Sequence, residues 1–258
     1  MTTVALAPVT KSNEKAEPPI RVKALRKAFG DQTVLNGIDL EVALGETLAV
    51  LGRSGTGKSV LLKLIIGLQE PDSGSVRIHG QEIRGLPLEQ LNQIRKKIGF
   101  LFQYSALYDS LTVEENVAFS LERHTKMSAV ERRERVRNLL TGVGMEKDRD
   151  KMPGEISGGM QKRVGLARAL ALEPDILLFD EPTAGLDPIT AGEIGELILQ
   201  LQKDRKRASI VVTHDLHGAR TVSDRLALMH QGNILIQGTF EDLRKSRDKF
   251  VAQFLSGS

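Results

Sequence analysis

The sequence predicts an α/β fold in which helices cover both faces of a largely parallel sheet. Three short runs are apolar almost throughout, and each has the length and composition of a buried strand: TLAVLG (47–52), DILLFDE (175–181) and SIVVTHD (209–215). A strand that is apolar on both sides is typical of a parallel sheet under helices. Helical periodicity lies between these runs, at residues 58–67, 158–172 and 190–203. The alternation of strand and helix predicts a doubly covered core sheet.

The rest of the chain adds an antiparallel β subdomain and a helical insertion. IRVKALRKAFG and NGIDLEVALG, separated by a turn, have the half-buried pattern of antiparallel strands. The segment from about residue 104 to 157 is charge-rich and helix-periodic, which predicts an inserted α-helical subdomain. Strands near 225–230 and 233–238 are expected before C-terminal helices at about 239–256.

The N-terminal segment differs in composition and periodicity from the rest of the chain. Residues 1–19 lack periodicity and end in two prolines, so we expect a flexible N-terminal leader there. Residues 20–258 are then expected to form one domain that contains the core sheet, the β subdomain and the helical insertion.

Composition excludes several kinds of site. The chain has 258 residues, a formal net charge of +3, no cysteine and no tryptophan. Disulfides and cysteine-ligated zinc are therefore excluded, and the 4% aromatic content disfavours a platform that stacks single-stranded nucleic acid. The small positive charge suits an anionic ligand, a membrane surface or simply solubility. The most apolar run, VLLKLIIGL (60–68), is too short to span a bilayer, so a membrane role is expected to need a partner.

The segment GRSGTGKS (52–59) is the strongest functional motif. It matches G-x-x-x-x-G-K-[ST] and lies between a predicted strand and a predicted helix, as a phosphate-binding loop requires. Main-chain N–H groups of such a loop bind phosphate oxygens at a helix N-terminus. Lys58 is expected to reach the β- and γ-phosphates, and the Ser59 hydroxyl to ligate Mg²⁺. The predicted phosphate-binding residues are Gly52, Arg53, Ser54, Gly55, Thr56, Gly57, Lys58 and Ser59.

Polar residues at the ends of neighbouring strands complete the predicted site. The carboxyl ends of parallel strands gather at one edge of a sheet, beside the phosphate loop. Asp180 is expected to hold Mg²⁺, and Glu181 to polarise a water molecule against the γ-phosphate. His214 is a candidate γ-phosphate sensor, with a packed or solvated histidine as the alternative. Gln103 is a candidate for contact with Mg²⁺ or with the attacking water.

A second anion-binding pattern lies in EISGGMQKR (155–163). Ser157, Gly158 and Gly159 open a predicted helix, where main-chain N–H groups bind anions. This turn follows the helical insertion, so it cannot easily fold over the phosphate loop of its own chain if the insertion stands away from the core. Two chains arranged head to tail would resolve this, because each could close its turn over the triphosphate held by the other. The sequence therefore predicts a homodimer with ATP between the subunits.

From about Ile20 to Gly238 the sequence resembles the ATPase subunit of ABC transporters, which are P-loop NTPases. GRSGTGKS is similar to the Walker A loop, ILLFDE to Walker B, ISGGMQKR to the signature and AGLD (184–187) to the D-loop. The resemblance implies an ABC-type fold that binds ATP and Mg²⁺ and hydrolyses ATP.

The resemblance also implies roles for individual residues. Glu181 corresponds to the general base, Gln103 to the Q-loop glutamine and His214 to the histidine that clamps the γ-phosphate. Asp187 corresponds to the D-loop residue that couples the two sites. Phe29 lies where the family places an aromatic residue that stacks on adenine, although a phenylalanine at a strand end is also common in a core.

Two stretches resemble one branch of the family, the Mla/Mce-type lipid-transport ATPases. Met160 replaces the glutamine of the usual LSGGQ, and FQYSALYDSLTVEENVAFSL (102–121) is similar to the Q-loop region of that branch. The resemblance implies a homodimer beneath an integral membrane permease, with an MCE-domain lipid-binding protein as a further partner. The expected location is the cytoplasmic face of the inner membrane, and the expected cargo is phospholipid moved between the inner and outer membranes.

Alternatives remain open at this point. The nearest are ATPases for lipoprotein release or for import of small solutes such as amino acids. A non-transport ABC ATPase acting on DNA is less favoured, because Gln103 and Ser157 are too close in the sequence for a long coiled coil and only one Walker A motif is present. No nucleic-acid partner is therefore expected. Tyr104 and Tyr108 could receive a permease helix together with Leu107, or could pack against the helical subdomain.

Overall fold

The computed structural model describes residues 17–202 and 207–256. The first sixteen residues of the expected leader lie outside this range. Among the described residues, no helix combines the length and the apolar character needed to cross a membrane. The proposed division into a leader and one domain from residue 20 stays a prediction.

Two sheets organise the described chain. Its strands are β1 (Ile20–Phe29), β2 (Gln32–Val42), β3 (Thr47–Leu51), β4 (Ser73–Ile78), β5 (Gln81–Glu82), β6 (Ile98–Leu101), β7 (Ile176–Asp180), β8 (Ala208–Thr213), β9 (Arg225–His230) and β10 (Asn233–Gly238). One sheet has the order β2-β1-β4-β5 with antiparallel pairing, and the other has the order β10-β9-β3-β8-β7-β6. In the second sheet β10 is antiparallel to β9, and the other pairs are parallel.

The helices lie between and around the strands. They are α1 (Lys58–Ile65), α2 (Leu88–Arg95), α3 (Val113–His124), α4 (Ala129–Gly142), α5 (Gly158–Ala169), α6 (Pro188–Gln202), α7 (Leu216–Val222), α8 (Phe240–Arg244) and α9 (Lys249–Ser256), with single 3₁₀ turns at Glu146–Asp148 and Pro153–Glu155. Capping boxes begin α3 at Thr112 and α4 at Ser128, where a side chain accepts the N–H three residues on. Such caps satisfy donors that a helix start leaves open.

Alternation along β3 divides the core into two layers. All five residues of β3 are buried. Ala49 and Leu51 belong to an apolar cluster shared with α3 to α7, whereas Leu48 and Val50 belong to a cluster shared with α1 and the antiparallel sheet. Successive side chains of a strand point to opposite faces, so the core sheet is covered on both sides. The α/β fold expected from the sequence is confirmed.

The register of the parallel strands brings their carboxyl ends to one edge. Leu51 of β3 is paired with Thr213 of β8, and Asp180 of β7 is paired with Val212 of β8. The residues that follow β3, β7 and β8 therefore emerge side by side. Gln103 comes two residues after the end of β6, which is paired with β7.

Candidate active site

The phosphate loop connects β3 to α1, as the sequence predicted. Gly57 has φ +97°, and a Cβ at this position would lie 2.9 Å from the side chains of Val34 and Leu35, so only glycine fits here. Because Gly57 is also the N-cap of α1, no side chain caps that helix start. The free N–H groups of the loop and of the first helical turn are thus available to an anion.

Lys58 is held by the loop that it follows. Its ammonium donates to the carbonyl oxygens of Gly52, at 2.9 Å, and Arg53, at 3.2 Å. It also lies 3.3 Å from Oε1 of Glu181, and its side chain is only 5% exposed. A lysine in this position carries a fixed positive charge between the loop and the end of β7.

Ser59, the residue after Lys58, is hydrogen-bonded to Asp180. The Ser59 hydroxyl donates to Oδ1 of Asp180 at 2.7 Å. Burial raises the pKa of Asp180, although the hydrogen bond from Ser59 acts in the opposite direction. A hydroxyl and a carboxylate are hard oxygen ligands, and Mg²⁺ commonly uses one or two protein ligands together with phosphate and water. The described residues contain no cluster of three or more acidic, histidine or cysteine ligands, so the Ser59–Asp180 pair fits a cation shared with a phosphate better than an all-protein site.

Glu181 and His214 form a pair at the strand ends. Oε2 of Glu181 lies 3.0 Å from Nδ1 of His214, and the Glu181 N–H donates to the Val212 carbonyl at 2.9 Å. Glu181 has φ +46°, which is uncommon for a residue with a Cβ. Its carboxylate is buried while the His214 side chain is 61% exposed. The pair combines a positioned acid with a histidine that faces solvent.

Gln103 is joined to this group through a residue that the sequence analysis did not single out. Lys162, in α5, donates to the main-chain carbonyl of Gln103 and to that of Glu181, the latter at 3.2 Å. Burial lowers the pKa of Lys162 to about 8, against the favourable charges of Asp180 and Glu181. A sequence signal did exist, because helical spacing places Lys162 on the same face as the buried Gly159 and Leu166.

An open cavity of about 710 Å³ lies between the phosphate loop and the Glu181–His214 pair. The residues that line it are Arg53, Ser54, Gln103, Glu181, His214, Gln253 and Phe254. Gln253 and Phe254 belong to α9, which the sequence analysis did not connect with the site. Phe250 of α9 stacks on His230 with ring centroids 3.7 Å apart, and the Arg53 guanidinium lies 5.5 Å from the Phe250 ring. The C-terminal helix thus contacts the phosphate loop.

The turn at Ser157 is separate from this cavity. Ser157 caps α5 by accepting the Met160 N–H at 3.3 Å, and both Ser157 and Gly158 are exposed. Gly159 is buried, and a side chain there would overlap the Thr190 methyl group. Thr190 in turn donates its hydroxyl to Asp187 at 2.6 Å, and this bond lowers the pKa of Asp187. The signature turn and the D-loop are therefore packed together on the same chain.

Phe29 lies at the end of β1 and is not part of the core. Its side chain is 47% exposed, and the Lys27 ammonium lies 5.3 Å from the ring centroid. The exposed ring is available for stacking. Its role toward adenine stays a prediction.

Comparisons with known proteins agree with these features. The family model for the ABC transporter matches residues 35–184. The probable ribonucleotide transport ATP-binding protein mkl of Mycobacterium leprae is 42% identical over 238 residues, which cover 92% of this chain and 69% of that protein. The intermembrane phospholipid transport system ATP-binding protein MlaF of Haemophilus influenzae is 40% identical over 238 residues, covering 92% of this chain and 90% of MlaF.

A solved structure shows the same fold. It is the dimeric structure of the ATP-binding cassette MJ0796 in a post-hydrolysis state, bound to ADP and Pi. It superposes with a TM-score of 0.79 at 34% identity, over 85% of this chain and 98% of that chain. The expected ABC-type fold and ATPase class are confirmed. This chain belongs to the ABC transporter family, of which it is an ATP-hydrolysing, nucleotide-binding member.

Proposed function

We propose that this chain powers a membrane permease by hydrolysing ATP in a head-to-tail dimer, and that the transported cargo is phospholipid. The observation that carries the proposal is the separation of two half-sites on one chain. One cavity is lined by Arg53 and Ser54 of the phosphate loop together with Glu181 and His214, while the exposed turn at Ser157 is absent from the residues that line it. A second copy would supply that turn.

In the proposed reaction Glu181 is the general base. Its carboxylate accepts a proton from the attacking water, and the oxygen of that water forms a bond to the γ-phosphorus as the bond to the β-phosphate oxygen breaks. Lys58 lies 3.3 Å from this carboxylate and would bind the β- and γ-phosphate oxygens. His214, 3.0 Å from Glu181, would orient the carboxylate and contact the γ-phosphate.

Mg²⁺ would be held by Ser59 and Asp180, with the Gln103 side chain nearby. When bound, Mg²⁺ would neutralise charge on the β- and γ-phosphates. The Ser59–Asp180 hydrogen bond of 2.7 Å keeps both oxygen ligands at one place beside the loop. The proposed adenine contact is Phe29, and the remaining nucleotide contacts are the main-chain groups of residues 52–59.

The proposed dimer brings Ser157, Gly158 and Gly159 of one copy onto the nucleotide of the other. The exposed Ser157 hydroxyl and the N–H groups at the start of α5 would bind the γ-phosphate. Asp187, which packs beside this turn through Thr190, would sense the opposite site. ATP would hold the two copies together, and hydrolysis would weaken the dimer.

A groove beside the Q-loop suits the permease. It has a volume of about 600 Å³ and is lined in part by Phe100, Phe102 and Tyr108. Tyr108 packs on Phe119 of α3 at 4.7 Å, whereas Tyr104 is 84% exposed. The contact with Phe119 supports the packing alternative for Tyr108. We propose that a short helix of the permease binds in this groove and that the exposed Tyr104, which is not among the residues lining the groove, is a further contact.

Phospholipid is the cargo that the sequence features support best. MlaF matches over nine tenths of its own length, and this chain shares the SGGM turn and the Q-loop stretch that resemble the Mla/Mce branch. The proposed complex lies at the cytoplasmic face of the inner membrane and includes an MCE-domain lipid-binding protein. The name of the mkl relative makes ribonucleotide the competing cargo.

The test is purification of the complex and transport in proteoliposomes. The chain is tagged in its native host, membranes are solubilised in mild detergent, and copurified subunits and lipids are identified by mass spectrometry. The complex is then reconstituted, and ATP-dependent movement of labelled phospholipid and of labelled ribonucleotide is measured, with the Lys58→Met complex as control. Copurified permease and ATP-dependent phospholipid movement support the proposal. Ribonucleotide movement without phospholipid movement, or no copurified permease, overturns it.

A further inference from the structure

Lys162 is a buried cation inside the signature helix. It is 4% exposed, and it lies five residues after Ser157 in α5. A buried ammonium group is unfavourable unless it is hydrogen-bonded, so its contacts need an explanation. Neither the sequence motifs nor the proposed chemistry assigns a task to this residue.

The contacts of Lys162 join two separate segments of the site. Its ammonium donates to the carbonyl oxygen of Gln103 and, at 3.2 Å, to the carbonyl oxygen of Glu181. These acceptors follow different strands, β6 and β7. One side chain from α5 therefore contacts the main chain at the proposed base and at the Q-loop glutamine.

Both segments have irregular backbones, and Lys162 donates to Glu181 in one of them and to Gln103, at the start of the other. Glu181 has φ +46°, and Ser105 and Ala106, just after Gln103, have φ +59° and +48°. Residues other than glycine hold such angles only when the surroundings stabilise them. A hydrogen bond to the Glu181 carbonyl restrains the peptide that carries the catalytic carboxylate.

We propose that Lys162 is a positioning residue that couples the signature helix to Glu181 and Gln103 of the same chain. This inference rests on the proposed dimer, in which Ser157 binds the nucleotide of the other copy. The path is short, because five residues of helix span about 7.5 Å. When Ser157 contacts the nucleotide that is bound by the other copy, the position of α5 is fixed. Lys162 then holds the Glu181 peptide in place for hydrolysis of the nucleotide that is bound by its own chain.

The experiment compares three variants of the full-length chain. Lys162→Met keeps the length of the side chain and removes the donor, and Lys162→Arg keeps a cation with several donors. Arg207→Met is the matched control, because Arg207 also donates to two main-chain carbonyls, those of Pro174 and Leu201, each at 3.1 Å, outside the residues assigned to catalysis or binding. For each variant kcat, KM for ATP and the Kd for a fluorescent ATP analogue are measured.

We expect Lys162→Met to lower kcat by about tenfold or more, with KM and Kd unchanged within about twofold, because hydrogen bonds to charged groups are stronger than neutral ones. Lys162→Arg should retain kcat within about threefold of the parent. Arg207→Met should hydrolyse ATP as the parent does. An unchanged kcat in Lys162→Met, or an equal loss in Arg207→Met, overturns the proposal.

A second measurement separates positioning from dimer formation. In the Glu181→Gln background, Lys162→Met should still form the ATP-dependent dimer, because Ser157 and the phosphate loop are intact. Loss of the dimer would show that Lys162 acts on assembly and overturn the proposal. If Lys162→Met does not fold, Lys162→Gln, which keeps a neutral donor on a shorter side chain, is tested in its place. A kcat below that of Lys162→Arg is then expected, and a kcat equal to that of the parent overturns the proposal.

The failures of the two proposals are distinguishable. If the parent chain hydrolyses ATP but forms no ATP-dependent dimer in the Glu181→Gln background, the proposed dimer is wrong. If the parent behaves as proposed and Lys162→Met matches it in kcat, only the role of Lys162 is wrong.

Discussion

Replacement of Glu181 by glutamine is the most direct test of the proposed chemistry. The side chain keeps its size, and the amide can still form hydrogen bonds near Lys58 and His214, which lie 3.3 Å and 3.0 Å from the carboxylate. What the change removes is the negative charge and the ability to accept a proton from water. The affinity for ATP should therefore be retained, whereas kcat should fall.

The expected effect on turnover is large. Proton transfer by a positioned general base contributes about 10²- to 10⁴-fold to a rate, so kcat should fall by that factor. This corresponds to about 3–5 kcal/mol of transition-state stabilisation. The effect on folding follows from the ion pair with Lys58. The attraction between the charges of Lys58 and Glu181 at 3.3 Å is about 5 kcal/mol at an effective dielectric constant of about 20. Relief of carboxylate burial offsets part of it, and loss of one partner of a buried pair leaves a net cost of at most about 3–5 kcal/mol in the free energy of unfolding.

Four assays separate these effects. Phosphate release measures kcat, a fluorescent ATP analogue measures affinity, and size-exclusion chromatography with ATP detects the trapped dimer, while urea unfolding measures stability. Glu193→Gln is the control, because Glu193 pairs with Arg163 at 2.7 Å and does not line the cavity. Hydrolysis by Glu181→Gln within about tenfold of the parent rate would refute the assignment of Glu181 as the base.

Three further changes test the other parts of the site. Lys58→Met should weaken ATP binding by at least about tenfold in a direct binding assay, and unchanged affinity would remove Lys58 from the phosphate site. Met160→Gln should change kcat by less than about tenfold, because main-chain groups and the Ser157 hydroxyl do the proposed binding; a larger loss of phosphate release would show that the Met160 side chain matters. Gly159→Ala should abolish the ATP-dependent dimer in the Glu181→Gln background while ATP still binds, since its Cβ would overlap Thr190 and displace the turn; a dimer of normal stability on size-exclusion chromatography would contradict this.

Much of the fold was predictable because it depends on local patterns. The apolar runs that predicted core strands correspond to β3, β7 and β8, and the motif at 52–59 lies between β3 and α1 as expected. Alternation and helical periodicity reflect which face of an element is buried, and both can be identified from residues that are adjacent in the sequence. The parallel register then brings Asp180 and His214 beside the phosphate loop without further information.

The remaining features depend on contacts between residues far apart in the chain. Phe250 of α9 lies beside Arg53 of the phosphate loop, and Gln253 and Phe254 line the cavity. No local pattern relates these positions. The exposure of Phe29 likewise depends on what packs around the end of β1, because a phenylalanine at a strand end is compatible with a core or a surface position.

The sequence by itself determined the core strands β3, β7 and β8, the phosphate loop between β3 and α1, and which polar residues follow those strands at one edge of the sheet. It did so because each of these follows from short-range spacing and from the geometry of a parallel sheet. Only the tertiary structure decided that Lys162 joins Gln103 to Glu181, that Gly159 packs against Thr190, and that α9 borders the nucleotide cavity. Those contacts are set by how whole elements pack, and packing depends on the combined shape of many side chains rather than on any one segment.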